Sequence, residues 1–307
     1  MVCVKNLRWV AEKSSMWGMD RVYDIGLKLW SVNTGGWRRE ARRLYEQGAF
    51  DYLELYAVPG TCETIPLWKE LGIPVVVHAA HFKHGFNLAL VEQEVSNRGI
   101  YDEMRRFADE LEARHLIFHG GTFGCIEETA RQLAALGDPR ALIENKPAIT
   151  RHEGNILECR GSTVEEIRRV MEEVGCGFCL DIPHALCAAN YHGVSQEMML
   201  REFSALHPAM YHLADMMEHT LLIDDHTMLG KGTLDMECYI PSFLPPGATI
   251  TIETNRTSQE SLVEFEEELM VLRNLSKTMI IEESRKCENN ACQREKNSYK
   301  KVWSREK

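Results

Sequence analysis

The chain has 307 residues, 44% of them hydrophobic, and its 46 Asp and Glu outnumber 35 Lys and Arg to give a formal net charge of -11. That length allows one large α/β barrel or two smaller domains, and the acidic balance argues against a protein that coats nucleic acid through indiscriminate phosphate contacts. The 10 cysteines are scattered through a long chain, unlike those of a short disulfide scaffold.

No stretch approaches the roughly 18 apolar residues of a membrane span. The opening "MVCVKNLRWVAEKSSMWGMD" holds no apolar run of signal-peptide kind. A cytoplasmic protein with no membrane partner is expected, with reduced, buried thiols in "GCGFCLDI".

Residues 1–21 read as an N-terminal extension, either an added helix or an arm. Short apolar runs then follow in order: "YDIGLKLWSV", "FDYLELYAV", "IPVVVHAAH", "HLIFHGG", "ALIENK", "GFCLDIPHA", "MYHLAD" and "ATITIET". Between them lie "WRREARRLYEQ", "NRGIYDEMRRFADELEA", "IEETARQLAAL", "STVEEIRRVMEEV" and "QEMMLREFSAL", whose apolar residues recur three and four apart as helices require. Thr163 and Glu166 suit a capping box, and "SQESLVEFEEELMVLRNL" reads as a closing helix.

Eight buried strands alternating with helices predict an α/β fold, a closed (β/α)8 TIM barrel over residues 22–275. A doubly wound open sheet is the competing architecture, weakened because no GxGxxG opens a helix after the first strand. Residues 276–307 are polar, basic and aperiodic, and are expected to be a disordered tail. Its Cys287 and Cys292 have no further pair or histidine to complete a metal site.

In such a barrel the C-terminal strand ends converge on one mouth. Here they carry His78, His119, Glu144, Asp181 with His184, His212 with Asp215, Asp224 with His226, and Glu253. One His after a strand is ordinarily a hydrogen-bonded core or loop residue, and one acid there commonly caps a helix. Six successive strands ending in His, Glu or Asp are a different matter, since these side chains bind divalent metal.

Burying so many ionisable groups together without a cation would be very costly. Asp224 and His226 then read as two ligands for one ion, with Asp225 between them pointing elsewhere. The set is too large for one ion that keeps an open position, so two or three ions are expected. Imidazole-rich ligation favours zinc, with manganese or iron next, and clustered ions suit in-line displacement at phosphorus.

"GFCLDIPHALCAANY" and "HLADMMEHTLLIDDHTMLGKG" resemble the xylose-isomerase-like TIM barrel superfamily, and within it the endonuclease IV group of AP endonucleases. "IEN" and "TIET" are similar to shorter pieces of that pattern, and the resemblance spans about residues 24–272. It implies three ions, with Glu144 bridging two, His78 and His119 completing the first, Asp181, His212 and Glu253 the second, and His184, Asp224 and His226 the third. The activity implied is cleavage of a phosphodiester at abasic sites in DNA, with Glu144 orienting the attacking water.

The sugar isomerases and epimerases of the superfamily resemble the subset Glu144, Asp181, His212 and Glu253. Through these the alternative is a single-ion enzyme on a small sugar or sugar phosphate, Glu144 and Glu253 moving the proton. Three stretches depart from the endonuclease pattern: "DIGLKLWSVNTGG", "ENKPAITRHEG" and "HAAHFKHGF". The last puts His81 where an aromatic DNA contact is expected. Lys83, His84 and Phe86 follow it as candidates for a phosphate backbone, the alternative being a solvated loop. "FHGGTFG" reads either as an anion-binding turn through Gly120, Gly121 and Gly124 or as glycines that let the backbone leave its strand steeply.

Overall fold

A computed structural model of the chain describes residues 22–258 and 260–275. The extension at 1–21, the tail at 276–307 and its two cysteines lie outside the described residues. Each of the eight apolar runs forms a strand: β1 Asp24–Trp30, β2 Tyr52–Tyr56, β3 Val75–His78, β4 Leu116–His119 and β5 Ala141–Glu144, then β8 Gly177–Asp181, β9 Met210–Leu213 and β10 Thr249–Ile252. They close into one parallel barrel in which β10 pairs with β1. The remaining two strands, β6 Ile149–His152 and β7 Asn155–Glu158, form an antiparallel hairpin outside the barrel.

Helices cover the barrel: α1 Gly36–Glu46, α2 Ile65–Lys69, α3 Glu94–Glu110, α4 Ile126–Leu136, α5 Val164–Val174, α6 Ile182–His192, α7 Gln196–Ser204, α8 Met236–Phe243, and α9 at residues 263–275. α5 illustrates how local sequence sets an element. Thr163 Oγ1 accepts from Glu166 N at 3.3 Å, while Glu166 Oε2 accepts from Gly161 N and Ser162 N, each at 2.9 Å. The capping box therefore closes one residue early on its return side. Val164, Ile167 and Val170 are buried on one stripe, and Gly175 at φ 73° ends the helix.

Side chains alternate between the two faces of a strand, and the barrel uses that period to build its interior in layers. Tyr52, Val76, Ile117, Leu142, Cys179 and Met210 form a buried apolar cluster separate from the main core between strands and helices. The same parity two residues onward gives Glu54, His78, His119, Glu144, Asp181 and His212. On the two remaining strands, Gly26 is followed by Lys28 and Thr251 by Glu253.

An apolar plug thus lies directly beneath a ring of charge and imidazole. Gly26 is required at the plug because a Cβ there would lie 2.4 Å from the Tyr52 ring, whose hydroxyl bonds Thr251 Oγ1 at 2.8 Å.

Gly26→Ala should therefore destabilise the barrel by about 1–3 kcal/mol, the usual range for overpacking. Urea unfolding of single and double variants checks this. The penalty should shrink in a Tyr52→Leu background, where the ring is gone.

Candidate metal centre

β5 and its two neighbours set the centre of the ring. Register places His119 beside Glu144, and Asp181 beside His212. The Glu144 carboxylate faces two ways. Its Oε2 lies 3.1 Å from His78 Nε2, 3.0 Å from His119 Nε2 and 3.6 Å from His212 Nδ1. Its Oε1 lies 3.0 Å from His184 Nδ1 and 3.5 Å from Lys146 Nζ.

Asp181 does two jobs. Oδ1 caps α6 by accepting from His184 N at 2.7 Å, which is what a buried Asp before Ile-Pro-His can do. Oδ2 stays in the ring, 3.7 Å from His212 Nδ1 and 3.4 Å from His184 Nδ1. Asn145 clamps the two strand ends together, accepting from Asp181 N at 2.8 Å and donating to Asp181 O at 2.9 Å.

The loop after β9 brings in Asp224 and His226. Asp215 holds that loop: its carboxylate accepts from the backbone N–H groups of Met216, Gly230, Gly232 and Leu234, at 2.8–3.0 Å. Gly232 is needed, since a Cβ there would lie 2.2 Å from Met216 O. Asp224 Oδ2 then stands 3.0 Å from His226 Nδ1 and 3.6 Å from His184 Nε2. Asp225 turns the other way, and its Oδ2 accepts from Met217 N at 3.1 Å.

All nine side chains expected as ligands therefore meet at one rim. Among the described residues, four groups of three have ligand atoms mutually within 4.8 Å: His78, His119 and Glu144; Glu144, Asp181 and His184; His184, Asp224 and His226; and Glu54, His212 and Glu253. The donor set suits a divalent cation. Asp224 Oδ2, His212 Nδ1 and Glu253 Oε2 are buried without hydrogen bonds, although oppositely charged or basic atoms surround them. Three imidazoles have their other nitrogen against an acceptor: His78 on Ala79 O at 2.8 Å, His184 on Asn145 O at 3.0 Å and His212 on Glu54 at 2.9 Å. Metal-binding histidines are ordinarily oriented in this way.

Sequence reading missed Glu54, Lys28 and Lys146. Lys28 Nζ pairs with Glu253 and lies 3.1 Å from Glu54. The signal was present in "GLKLW" and "YLELY", where one charged residue sits at inward parity inside an apolar strand. The β6–β7 hairpin was also missed. Glu153 and Gly154 at φ 48° and 81° make its two-residue turn.

Burial opposes charge on Lys28, Glu54, Glu144, Glu253 and His212, and there the neighbours outweigh it. Lys28 is held charged, above its ordinary range, because Glu253 and Glu54 outweigh its desolvation. Against its own desolvation, Glu54 is brought down to about 2 by His212 and Lys28. His119, Lys146 and His212 hold Glu144 well below the carboxylate range, and Lys28 with His212 does the same for Glu253. His212 is pushed well up by Cys179, Glu54 and Glu253, whereas burial pushes His119 and His81 well down.

A cavity of about 700 Å³ opens above the ring, lined among others by Trp30, Tyr56, His81, Lys83 and Arg151. His81 stacks parallel to His119 with ring centres 5.5 Å apart. Lys83 is exposed at the cavity wall. His84 Nδ1 lies 2.7 Å from Tyr56 OH. The expectation for Phe86 is corrected: it is buried against Phe118, out of reach of any backbone in the cavity.

The "FHGGTFG" turn fits the alternative in which its glycines let the backbone leave the strand steeply. Its Thr122, Phe123 and Cys125 N–H groups already donate to Asn87, Glu158 and Ala89. Its glycines serve close approach, since a Cβ at Gly120 would lie 2.2 Å from Arg160 O.

A closed (β/α)8 barrel with a charged, ligand-rich mouth defines the class, a TIM barrel with an enzyme-like site at its C-terminal rim. The chain belongs to the xylose isomerase-like TIM barrel family, whose model matches residues 22–275. No curated protein sequence gives a significant match.

Solved structures of the same fold include the TTHB071 protein from Thermus thermophilus soaked with ZnCl2, at 22% identity and TM-score 0.59, covering 83% of this chain and 98% of that one. A D-tagatose 3-epimerase-like protein follows at 17% and 0.61, covering 84% and 98%. Endonuclease IV from Thermus thermophilus gives 20% and 0.58, covering 82% and 99%. At these identities the likeness is one of fold.

Glu54, Glu144 and Glu253 titrate lower in the folded chain than in the unfolded one. Their stabilisation is complete above the ordinary carboxylate range, begins to fall as pH drops into it, and is lost as pH falls through the depressed folded-state values. The urea midpoint of metal-free protein should thus drop from about pH 5 downward to about pH 2, and Glu54→Gln should flatten that slope.

Proposed function

We propose that the protein is a divalent-metal-dependent hydrolase of phosphate esters, with a phosphodiester at an abasic site in DNA as its substrate. One observation carries the reading: Glu144 Oε2 lies against His78 and His119 on one side and 3.6 Å from His212 Nδ1 on the other, so ions on both sides can share the carboxylate. A sugar isomerase working with one ion has use for Glu144, Asp181, His212 and Glu253 but none for the His78–His119 position.

Zinc is the preferred metal, with manganese or iron as alternatives, on the mixed imidazole and carboxylate donor set. When bound, such ions supply Lewis acidity and an activated water. Glu144 and Glu253 would fix the geometry of the reacting centre. Lys83 and Arg151 at the cavity wall would bind phosphate oxygens, and His81 would lie beside them. Trp30, stacked on Tyr56 at 4.7 Å and 42% exposed, offers a flat face to a sugar or base. Among the described residues no helix is long and apolar enough to cross a membrane, and a cytoplasmic setting fits the free thiols of the described cysteines.

A second reading, a single-ion sugar or sugar-phosphate epimerase, is favoured by Lys28. That ammonium ties Glu253 beside His212, opposite Glu144, so two carboxylates flank one position where a carbon-bound proton could move.

His119→Ala should lower cleavage of an abasic-site duplex by at least about 100-fold, a loss typical of removing one catalytic element, while circular dichroism stays unchanged. Unaltered cleavage by that variant would remove the His78–His119 position from the reaction, whereas epimerisation of a ketose without any nicking favours the second reading. EDTA should also lower the melting temperature and zinc restore it, because an ion bound only by the folded chain stabilises it by mass action.

A further inference from the structure

We infer that Lys28 and Lys146 together replace the charge of one divalent ion, so that the rim binds two ions and the His184–Asp224–His226 group holds none. The inference rests on the metal-hydrolase reading above and departs from the three ions implied by the endonuclease IV resemblance.

The first support is charge balance. Five carboxylates, from Glu54, Glu144, Asp181, Asp224 and Glu253, make up the four ligand groups. Asp215 stands outside the balance because four backbone N–H groups hold it. With the imidazoles neutral, the Lys28 and Lys146 ammonium groups cancel two of the five charges and leave three. Two divalent ions then give a single positive charge, which an anionic ester neutralises. Three would leave a triple positive charge in a buried ring, the kind of uncompensated excess that interiors do not hold. Without the lysines three ions would balance equally well, so two ammonium groups stand for one ion.

The second support is position. Lys146 Nζ lies 3.2 Å from His184 Nε2 and 3.4 Å from its Nδ1, and 3.5 Å from Glu144 Oε1. His184 Nε2 is the nitrogen that faces Asp224 Oδ2 at 3.6 Å, so an ion taken by that nitrogen would have to compete with an ammonium 3.2 Å away for the same lone pair. The lysine side chain is only 13% exposed, and it lines the cavity. Its charge is therefore both enclosed and turned towards a substrate. By contrast, among the described residues no ammonium nitrogen is paired with His78 or His119, and Lys146 meets Glu144 through its other oxygen.

The lysine follows Glu144 by two residues in "ENKP", where the chain leaves β5 for the β6–β7 hairpin. Lys146 N donates to Gly161 O at 2.9 Å, which fixes the backbone from which the side chain returns to the ring.

The test is zinc stoichiometry, read by elemental analysis after equilibrium dialysis of the full-length chain against zinc. Cys287→Ser and Cys292→Ser are included throughout so that tail thiols contribute no metal. Wild type should retain two zinc ions per chain, Lys146→Met three, and Lys146→Arg two. Adding Asp224→Asn to Lys146→Met should return the count to two. Three ions in the wild type, or an unchanged count in Lys146→Met, overturns the inference and leaves the hydrolase reading standing. No zinc in either protein overturns that reading and the inference with it. Should Lys146→Met fail to fold by circular dichroism, the wild-type count and Lys146→Gln decide.

Discussion

Five carboxylates buried within a few ångströms of one another would repel strongly in a medium poorer than water at screening charge. Everything around the mouth answers that constraint. Lys28 spans Glu54 and Glu253, Lys146 reaches Glu144 and His184, and imidazoles separate the remaining acids. Each histidine with one nitrogen fixed by an acceptor leaves the other for the ring. Such an arrangement is stable as a scaffold only with positive charge at its centre, supplied by side chains or by bound cations.

The scaffold that enforces this crowding is simple. Below the ring lies the apolar plug of Tyr52, Val76, Ile117, Leu142, Cys179 and Met210, which excludes water from one side. Above it, the hairpin after β5 and the Asp215-anchored loop after β9 bring further side chains over the mouth. Asp215 holds the loop by gathering backbone donors that would otherwise be unsatisfied. The result is a cavity with acid and imidazole at its floor, and Lys83, Arg151 and Trp30 at its walls.

Much of the floor was legible in the chain. Eight apolar runs separated by helical periods marked every strand of the barrel, and strand ends named nine side chains that do converge. The inner face of a strand is set by parity and not by its last residue alone, which is how Lys28 and Glu54 enter the ring, whereas Lys146 comes from the loop after β5. Lys28 and Glu54 sit inside their strands, yet at the position equivalent to His78 and His119. Asp215 stood among the strand-end residues but outside the nine expected ligands, and its neighbours in space, four N–H groups from a loop as far as nineteen residues away, give it a structural task.

By itself, then, the sequence determined periodicity: where strands and helices fall, and which residues face inward, because both follow from spacing along a chain. It also determined the inventory of side chains able to ligate a metal ion. Only the folded barrel decided which oxygen of Glu144 meets which imidazole, that Phe86 is buried, and that Lys146 comes to rest against His184. Those outcomes depend on closure of β10 onto β1 and on loops packed from distant parts of the chain, and distances across a closed ring are not encoded in any local pattern.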